Sequence, residues 1–529
     1  MARSRLGRLA DWVLSIGSPV KRARREHFRR MVEDHGYRDV ALSLLRARGY
    51  RAAKSGTGIT PWLGASGDAD SEVLRDLPTL RSRAREVNRD DPIGSGLIGS
   101  FVTNVIGTGM RPQARTADRE LNTALEALWR ERADSLFRAE NLTHAEGQRL
   151  LLGKLLEDGE FFVKQVKRKP EELLWFEIVE ADRVGSPLGR KPVDPNGVIR
   201  DGVEKDADGV PVAYWICKRH PGDSLNITAK TQGEFKRVEA AVVQHARLVS
   251  RPGQTRGVPM FHAVLQDLRD LDLLLLASLK RVQIAACLAV FIKSDADTDA
   301  VIEATAEKYG YKLDQALEPG MMFRLWPNED ISTILPNFPT PELSPFIIML
   351  ARRIGTAVGV SWQIVLKDFS ESTYSSARTD LLESRQVFTV LQSLVSQREF
   401  TWEWRAVMED AWLRGDPRLA GVTPDDLQKV NWIGNGWVWV DPLNQAKAVA
   451  LALKLGITCE QDECAKLGLD YEEITEKRKE AKAIRKAAGL DEPESVSVAK
   501  QDTTDEEDDD EKEQPRRLRR GNGRLISLT

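Results

Sequence analysis

Acidic residues that could bind a divalent metal ion are concentrated between positions 158 and 182 of this 529-residue chain. They are Asp158, Glu160, Glu177, Glu180 and Asp182. A metal-dependent nuclease needs carboxylates that converge on one face, usually with a lysine or histidine nearby as base. Glu177 and Glu180 lie three residues apart on a predicted strand, so we expect their side chains on opposite faces. The pattern therefore favours a structural role, and we predict no catalytic residue and no metal site.

Other residues with possible chemistry lack the partners that their chemistry requires. The segment Gly107–Gly109 is not followed by the Gly-Lys-Ser/Thr of a phosphate-binding loop, so it is predicted to end a helix, and we expect no ATP hydrolysis. His220 and His245 have no neighbouring nucleophile and acid, which favours structural roles. Cys459 and Cys464 lack a second pair of zinc ligands. We therefore predict that the protein is not an enzyme and has no cofactor.

Composition indicates a large protein with extensive polar surface. The chain is 41% hydrophobic and 30% charged with a net charge of −3, so its length predicts more than one core. Any contact with nucleic acid must come from local patches, because the whole chain is not a polycation. The strongest apolar run, Leu271–Leu279, contains Asp272 and is too short to cross a membrane. We expect synthesis and retention in the cytoplasm and no membrane partner.

The most informative stretch runs from Arg352 to Leu391. Apolar residues recur at helical spacing in both of its halves. Between the halves, Lys367–Ser376 is rich in serine and threonine, which compete for backbone hydrogen bonds and favour turns and helix N-termini. The pattern predicts two helices with a break between them. On spacing alone, two packed helices joined by a surface turn are the simpler interpretation.

The periodicity also predicts a long helix and a small insertion before this stretch. Three- and four-residue spacing of apolar side chains predicts a helix from Pro259 to about Ala289, roughly 45 Å long. A strand at Val290–Lys293, a helix at Thr298–Tyr309 and a strand at Met321–Trp326 are expected to follow. A strand–helix–strand unit is therefore inserted between two long helices.

Several phrases of the sequence resemble the lambda-type family of tailed-bacteriophage portal proteins. They include VGVSW, DFS, TYSSAR and LLESR in the central stretch, REVNRDDPIGSGLIGSFVTNVIGTGMRPQ and DGEFFVKQV before it, and VDPLNQAKA after it. They occur in consistent order over residues 81–473. The resemblance implies an α+β, mainly helical fold with portal-type architecture, which consists of a wing, a stem of two long helices, a small α/β clip, a tunnel loop and a helical crown.

The expected organisation combines this resemblance with composition at the two ends of the chain. It is a basic mobile N-terminal arm (1–80), the wing (81–257), the first stem helix (258–289), the clip (290–340), the second stem helix (341–364), the tunnel loop (365–376), a kinked helix and wing return (377–440), the crown (441–490) and a disordered charged tail (491–529). The tail is expected to be disordered because charge blocks with few apolar residues cannot repay the entropy cost of folding.

The resemblance further implies a ring of twelve copies at a capsid vertex, with double-stranded DNA passing through it. Its implied partners are the terminase large subunit, head-completion and connector proteins, and the major capsid protein; its implied location is the virion. The residues implied to line the DNA channel are Lys367, Asp368, Phe369, Ser370, Glu371, Ser372, Thr373 and Tyr374. Another virion structural protein, or less readily a metal-dependent DNA-processing enzyme, remains an alternative from the residues themselves.

Overall fold

A computed structural model describes residues 67–187, 189–223, 234–286, 290–294, 329–333, 343–370, 372–437, 439 and 441–490. The chain divides into two compact units, Met1–Trp432 and Ile433–Thr529. The tail expected at 491–529, the helix expected at Thr298–Tyr309 and the strand expected at Met321–Trp326 lie outside the described residues.

Two helices begin the described part of the first unit, α1 (Ala69–Asp90) and α2 (Pro92–Val105), and they pack against each other. Asp91 caps α2, because its carboxylate accepts hydrogen bonds from the backbone N–H groups of the second and third helical residues. The boundary expected for the mobile arm was wrong, since residues 69–80 are helical and Leu77 is buried. The arm was expected to extend this far because residues 1–80 alternate basic pieces with a Gly/Ser-rich linker.

An α/β region follows. Its elements are β1 (Arg111–Ala114), α3 (Arg119–Ala133), α4 (His144–Asp158), β2 (Glu160–Val166), β3 (Trp175–Val179), β4 (Val198–Arg200), β5 (Val203–Lys205), β6 (Pro211–Cys217), β7 (Phe235–Glu239) and β8 (Val243–Arg247). Thr143 and Glu146 form the capping box at the start of α4 that their spacing predicts.

The strands of this region form two antiparallel sheets, in the orders β3–β2–β8 and β4–β5–β6–β7. Phe162 on β2 lies opposite Val179 and His245, and its side chain belongs to a buried cluster shared with residues of the second sheet such as Tyr214. The cluster is one core of the first unit.

One predicted strand of this region was wrong. The residues Ile199–Lys205 predict one strand of a hairpin with Val210–Lys218, but the structure has two strands there, β4 and β5, which pair with each other across a tight turn. Asp201 and Gly202 in the turn have φ values of 43° and 82°. A left-handed pair of this kind reverses the chain, and Asp-Gly is a dipeptide typical of such two-residue turns, so the signal was present in the sequence and was missed.

The elements that follow in the first unit are mainly helical. They are α5 (Leu265–Ala286), β9 (Val290–Ser294), β10 (Glu329–Thr333), α6 (Leu343–Val358), α7 (Trp362–Leu366), α8 (Tyr374–Val395), a π-helical segment (Ser396–Phe400), α9 (Thr401–Leu413) and β11 (Val430–Ile433), whose last residue begins the second unit. Strands β9 and β10 pair antiparallel, and β11 pairs with β1.

Two helix boundaries differ from those predicted. The helix expected to begin near Pro259 begins at Leu265, so its 22 residues span roughly 33 Å. The helix expected over 341–364 ends at Val358, because Gly359 takes a φ of 75° and the chain restarts as α7. None of the helices within the described ranges is long and apolar enough to cross a membrane.

The described residues of the second unit, which end at Leu490, form three helices, α10 (Pro442–Lys454), α11 (Glu460–Lys466) and α12 (Tyr471–Ala487). Asp441 and Asp470 cap α10 and α12 through their carboxylates. The segment Thr458–Gln461 has the spacing of a capping box, but no such box forms, because Cys459 is the N-cap of α11 and the Thr458 hydroxyl donates to Glu463.

Candidate functional site

The helix break predicted in the central stretch lies between α7 and α8. Lys367 ends α7 in a left-handed conformation with a φ of 54°, and Thr373 caps α8 by accepting a hydrogen bond from the backbone N–H of Ser376. The four residues Lys367–Ser370 are exposed, and they include Phe369, a large apolar residue. The break therefore forms a short protruding loop with a defined conformation at each end.

Gln363 holds both ends of this loop, a role that the sequence did not indicate. Its backbone carbonyl accepts hydrogen bonds from the N–H groups of Lys367 and Asp368. Its side-chain amide donates to the Ser372 hydroxyl at 3.3 Å and to the Asp380 carboxylate at 2.8 Å. Because Gln363 is buried, these bonds join the two sides of the loop beneath its exposed tip.

Packing deeper in the first unit fixes the two helices that carry the loop. Phe388 on α8 makes an edge-to-face contact with Phe101 on α2, with ring centroids 5.2 Å apart. The Gln392 amide donates to the Val105 carbonyl at the end of α2. The Ser361 N–H, which precedes α7, donates to the hydroxyl of buried Ser384 on α8. The loop thus protrudes from a packed base.

The loop carries charges of both signs. Lys367 and Asp368 are both exposed, and the Asp368 carboxylate accepts hydrogen bonds from the hydroxyl and N–H of Ser370. These bonds lower the pKa of Asp368, so it is ionised at neutral pH. Glu371 adds a second acid by its residue type. The loop can therefore offer one cation beside two carboxylates.

The acids near the start of β2 belong to a buried ion network and form no nuclease centre. The Glu160 carboxylate is fully buried and lies 2.7 Å from Arg256 Nε and 2.8 Å from His245 Nε2, and it also pairs with Arg81. Burial raises the pKa of Glu160, but the Arg256 guanidinium and the other partners outweigh it and hold the pKa well below its usual range. His245, for which the sequence favours a structural role, is a partner in this network.

Three other residues do converge as metal ligands could. Glu180, Asp182 and His220 place ligand atoms within 4.8 Å of one another, although the sequence placed Glu180 on a strand that in fact ends at Val179. Arg85 pairs with both carboxylates, and its Nη1 lies 3.5 Å from Glu180 Oε1. The Arg85 guanidinium already supplies the positive charge that a metal ion would bring. We therefore interpret Glu180, Asp182 and His220 as part of an ion-pair network.

A second buried acidic group lies where the π-helical segment joins α9. Glu399 and Glu403 are fully buried, and Glu403 Oε2 lies 2.8 Å from Nε2 of His144 on α4. Burial, together with the neighbouring Glu403 carboxyl, raises the pKa of Glu399 well above its usual value. The sequence showed only two glutamates four residues apart on a helix, a spacing typical of an exposed face.

Comparison with known proteins gives the loop a context. The family model described as "Phage portal protein, lambda family" matches residues 55–392, which include α7, the loop and most of α8. The chain belongs to the lambda family of phage portal proteins. A probable portal protein of Halomonas phage phiHAP-1 is 27% identical over 440 residues, which cover 78% of this chain and 82% of the relative.

The portal family is a structural, non-enzymatic part of the capsid, in agreement with the prediction that this chain is not an enzyme. Portal protein B of Escherichia phage lambda is 23% identical over 508 residues, which cover 87% of this chain and 94% of the relative. A chain from the solved neck of an empty GTA particle, computed with C6 symmetry, is similar at a TM-score of 0.46 with 15% identity, covering 75% of this chain and 94% of that chain.

Proposed function

We propose that twelve copies of this chain form a ring at one capsid vertex, and that double-stranded DNA passes through the ring during packaging and ejection. Membership of the portal family supports the ring. The observation that carries the channel assignment is the exposed loop tip, Lys367–Ser370, which rests on a base fixed by Gln363. A short loop tied at both ends can protrude from a wall without collapsing onto it.

In this ring, residues 367–374 line the channel and Lys367 faces the DNA phosphates. Rotational symmetry repeats each charge around the axis, so one lysine per copy becomes a circle of positive charge. Tight phosphate binding would hinder the movement of DNA, because affinity rises steeply with the number of phosphates neutralised. Asp368 and Glu371 limit that attraction. No base-reading element is required, because DNA of any sequence must pass.

The remaining parts of the chain are assigned from the family. The region from α1 to β8 is the wing, α5 and α6 form the stem, the β9–β10 pair belongs to the clip, and α10–α12 form the crown. The terminase large subunit docks on the clip, head-completion and connector proteins bind the ring, and the major capsid protein surrounds the wing. The assembled ring resides in the virion after forming in the host cytoplasm.

Shortening the loop tests the channel assignment. Replacing Asp368–Glu371 with two glycines removes the exposed tip and retains the two capping residues, Lys367 and Thr373. We expect rings to assemble as in the wild type, because the base is unchanged, and the yield of DNA-filled particles to fall at least about tenfold. Rings are counted by negative-stain microscopy, and packaged DNA is measured by nuclease protection after complementation of a phage that lacks its own portal gene.

The matched control replaces Ala207-Asp208, in the exposed turn between β5 and β6, with two glycines. This variant should assemble and package normally. Loss of rings in the loop variant would mean that the segment is structural packing. Normal packaging with a shortened loop would mean that the loop does not act in the channel.

A further inference from the structure

A groove of about 570 Å³ runs between α1 and the start of α5. Four carboxylates line it: Glu86, Asp90, Asp91 and Asp272. Asp90 pairs with Arg89, and Glu86 lies 4.0 Å from Arg269. We call this surface the acidic groove.

Asp91 leaves one acceptor of the acidic groove without a partner. Its Oδ1 caps α2, but its Oδ2 is buried and has no hydrogen-bond partner within the described part of the chain. The residue is only 8% exposed. Burial raises the pKa of Asp91, and the nearby Asp272 carboxylate adds to this effect. An unpaired buried acceptor is costly unless a donor reaches it.

The cations that line the acidic groove do not meet this need. Arg83 lies eight residues from Asp91, so their Cα atoms are roughly 12 Å apart along the helix direction. Arg269 is directed to Glu86, and Nδ1 of His262 lies 2.8 Å from the Pro259 carbonyl. Among the residues that the structure describes, neither Asp91 nor Asp272 makes an ion pair. A donor from outside this copy would complete the site.

The exposed side of α6 carries the opposite charge. Arg353 pairs with Asp267 near the start of α5. Arg352 is exposed and makes no ion pair within the described ranges; its guanidinium carbon lies 5.7 Å from the centre of the Trp362 ring, which leaves its charge without a carboxylate partner. Phe346 and Met349, on the same side of the helix, are 45% and 46% exposed. We call these four residues, Phe346, Met349, Arg352 and Arg353, the arginine face.

The acidic groove and the contact with α6 occupy opposite sides of α5. The groove is lined by five residues of α5, Leu265, Gln266, Arg269, Asp272 and Leu273, whereas Asp267 of α5 and Val264 just before the helix lie beside α6. At 3.6 residues per turn the two sets are centred roughly 170° apart around the helix. In a closed ring each copy meets its neighbours through two different surfaces. The acidic groove and the arginine face are placed to be such a pair.

The order of apolar and charged residues along the acidic groove matches their order along the arginine face. Leu273 and Leu276 are 51% and 46% exposed and follow Asp272 on the side that leads to β9. On the arginine face, Phe346 and Met349 precede Arg352 on the side that follows β10. Apolar residues therefore lie toward the β9–β10 pair on both surfaces, and charged residues lie away from it.

We infer that neighbouring copies of this chain dock through these two surfaces, with Arg352 of one copy entering the acidic groove of the next to bind Asp91 and Asp272. Phe346 and Met349 then cover Leu273 and Leu276. A guanidinium suits this role because its several donors can bind two carboxylates at once. The inference rests on the proposed ring and names the surfaces that build it.

Charge reversal tests this docking. Asp272→Arg and Arg352→Glu should each raise the concentration needed for ring assembly at least about tenfold, because each brings like charges together. The double variant Asp272→Arg with Arg352→Glu should recover most of the loss, since every interface of a homomeric ring then carries the swapped pair. Ring fraction is measured by sedimentation velocity over a concentration series, and circular dichroism confirms folding.

Asp270→Arg is the matched control, because Asp270 is exposed on the same helix but does not line the groove. It should assemble as the wild type does. Should a reversal prevent folding, Asp272→Asn and Arg352→Gln remove the charges more gently, and Asp91→Asn retains the helix cap. Two results would overturn this inference and leave the proposed ring standing. One is that Asp272→Arg and Arg352→Glu each assemble as readily as the wild type, and the other is that the double variant assembles no better than the single variants. A wild-type chain that never forms rings would overturn the proposed function as well.

Discussion

Glu399 shows how one residue can make stability depend on pH. It is fully buried beside Glu403, and its raised pKa means that the folded chain retains a proton which the unfolded chain releases. The stabilisation is therefore complete below the unfolded pKa of about 4.5 and is lost as pH rises toward the folded pKa. Near neutral pH the buried group costs stability.

Replacing this carboxyl with an amide should remove the cost. Glu399→Gln cannot ionise and has almost the same shape, so we expect its free energy of unfolding to exceed that of the wild type by about 1 kcal/mol or more at pH 8. The advantage should shrink as pH falls toward 4.5. Thermal or urea unfolding at several pH values measures the difference between the two chains.

Glu409→Gln is the control for this change, because Glu409 is exposed on the same helix, α9. It should leave stability within about 0.5 kcal/mol at every pH. If Glu399→Gln destabilised the chain at pH 8 as much as at pH 5, the buried carboxyl would not hold a proton.

At the scale of elements, the loop between α7 and α8 depends on the hydrogen bonds from the Gln363 amide to Ser372 and Asp380, which we call the clasp. Gln363→Glu would place a carboxylate beside Asp380, where the wild-type amide donates at 2.8 Å. We expect a loss of about 2 kcal/mol in local stability from this repulsion and from the lost donor. Amide hydrogen exchange of residues 367–373 should then be roughly thirtyfold faster.

The reciprocal change provides the control for the clasp. Asp380→Asn combined with Gln363→Glu restores a donor and an acceptor in reversed positions, so exchange should return toward the wild-type rate. Persistence of fast exchange in the double variant would assign the effect to packing around Gln363 and not to the hydrogen bond.

The helix break could be predicted from the residues around it, but the hydrogen bonds that hold the loop at both ends could not. Serine and threonine compete with their own backbone, so a break near Lys367–Ser376 follows from neighbouring residues alone. The clasp depends on Gln363 reaching Asp380, which lies on the next helix. The early start of α1 was missed because residues 1–80 were assigned together from their basic composition and Gly/Ser-rich linker, although Val73, Leu74, Leu77 and Leu80 recur at helical spacing. Helix α5 begins later than predicted because the turn after Pro259 also contains buried apolar residues.

At the scale of the whole molecule, the proposed ring makes a direct prediction of mass. Twelve copies of a 59.3 kDa chain have a combined mass of about 710 kDa. Native mass spectrometry should find that species, and class averages from electron microscopy should show twelvefold rotational symmetry around a central hole. The chain diluted into high salt serves as a control for weak association, because salt screens contacts between exposed charges.

A persistent monomer or an open filament would contradict the ring. A ring with a different number of copies would retain the portal assignment and change only the stoichiometry. The copy number could not be predicted from residue patterns, since no helical period encodes it. The family could be predicted because its phrases are continuous in sequence. The ion network around Glu160 could not, because Arg81 and Arg256 lie 79 and 96 residues away from that glutamate.

This network has a consequence for how the chain is made. Arg81 leaves the ribosome first, Glu160 follows, and Arg256, which makes hydrogen bonds to Asp201, Val184 and Ala181, comes about 175 residues after Arg81. Because synthesis proceeds at roughly 5 to 20 residues per second, Arg256 is made on the order of ten to thirty-five seconds after Arg81. Until then Glu160 has only part of its positive environment. The region from α1 to β8 can therefore close only after about half of the 529-residue chain has been made, and a nascent chain stalled before residue 256 should be bound by chaperones that recognise exposed apolar strands.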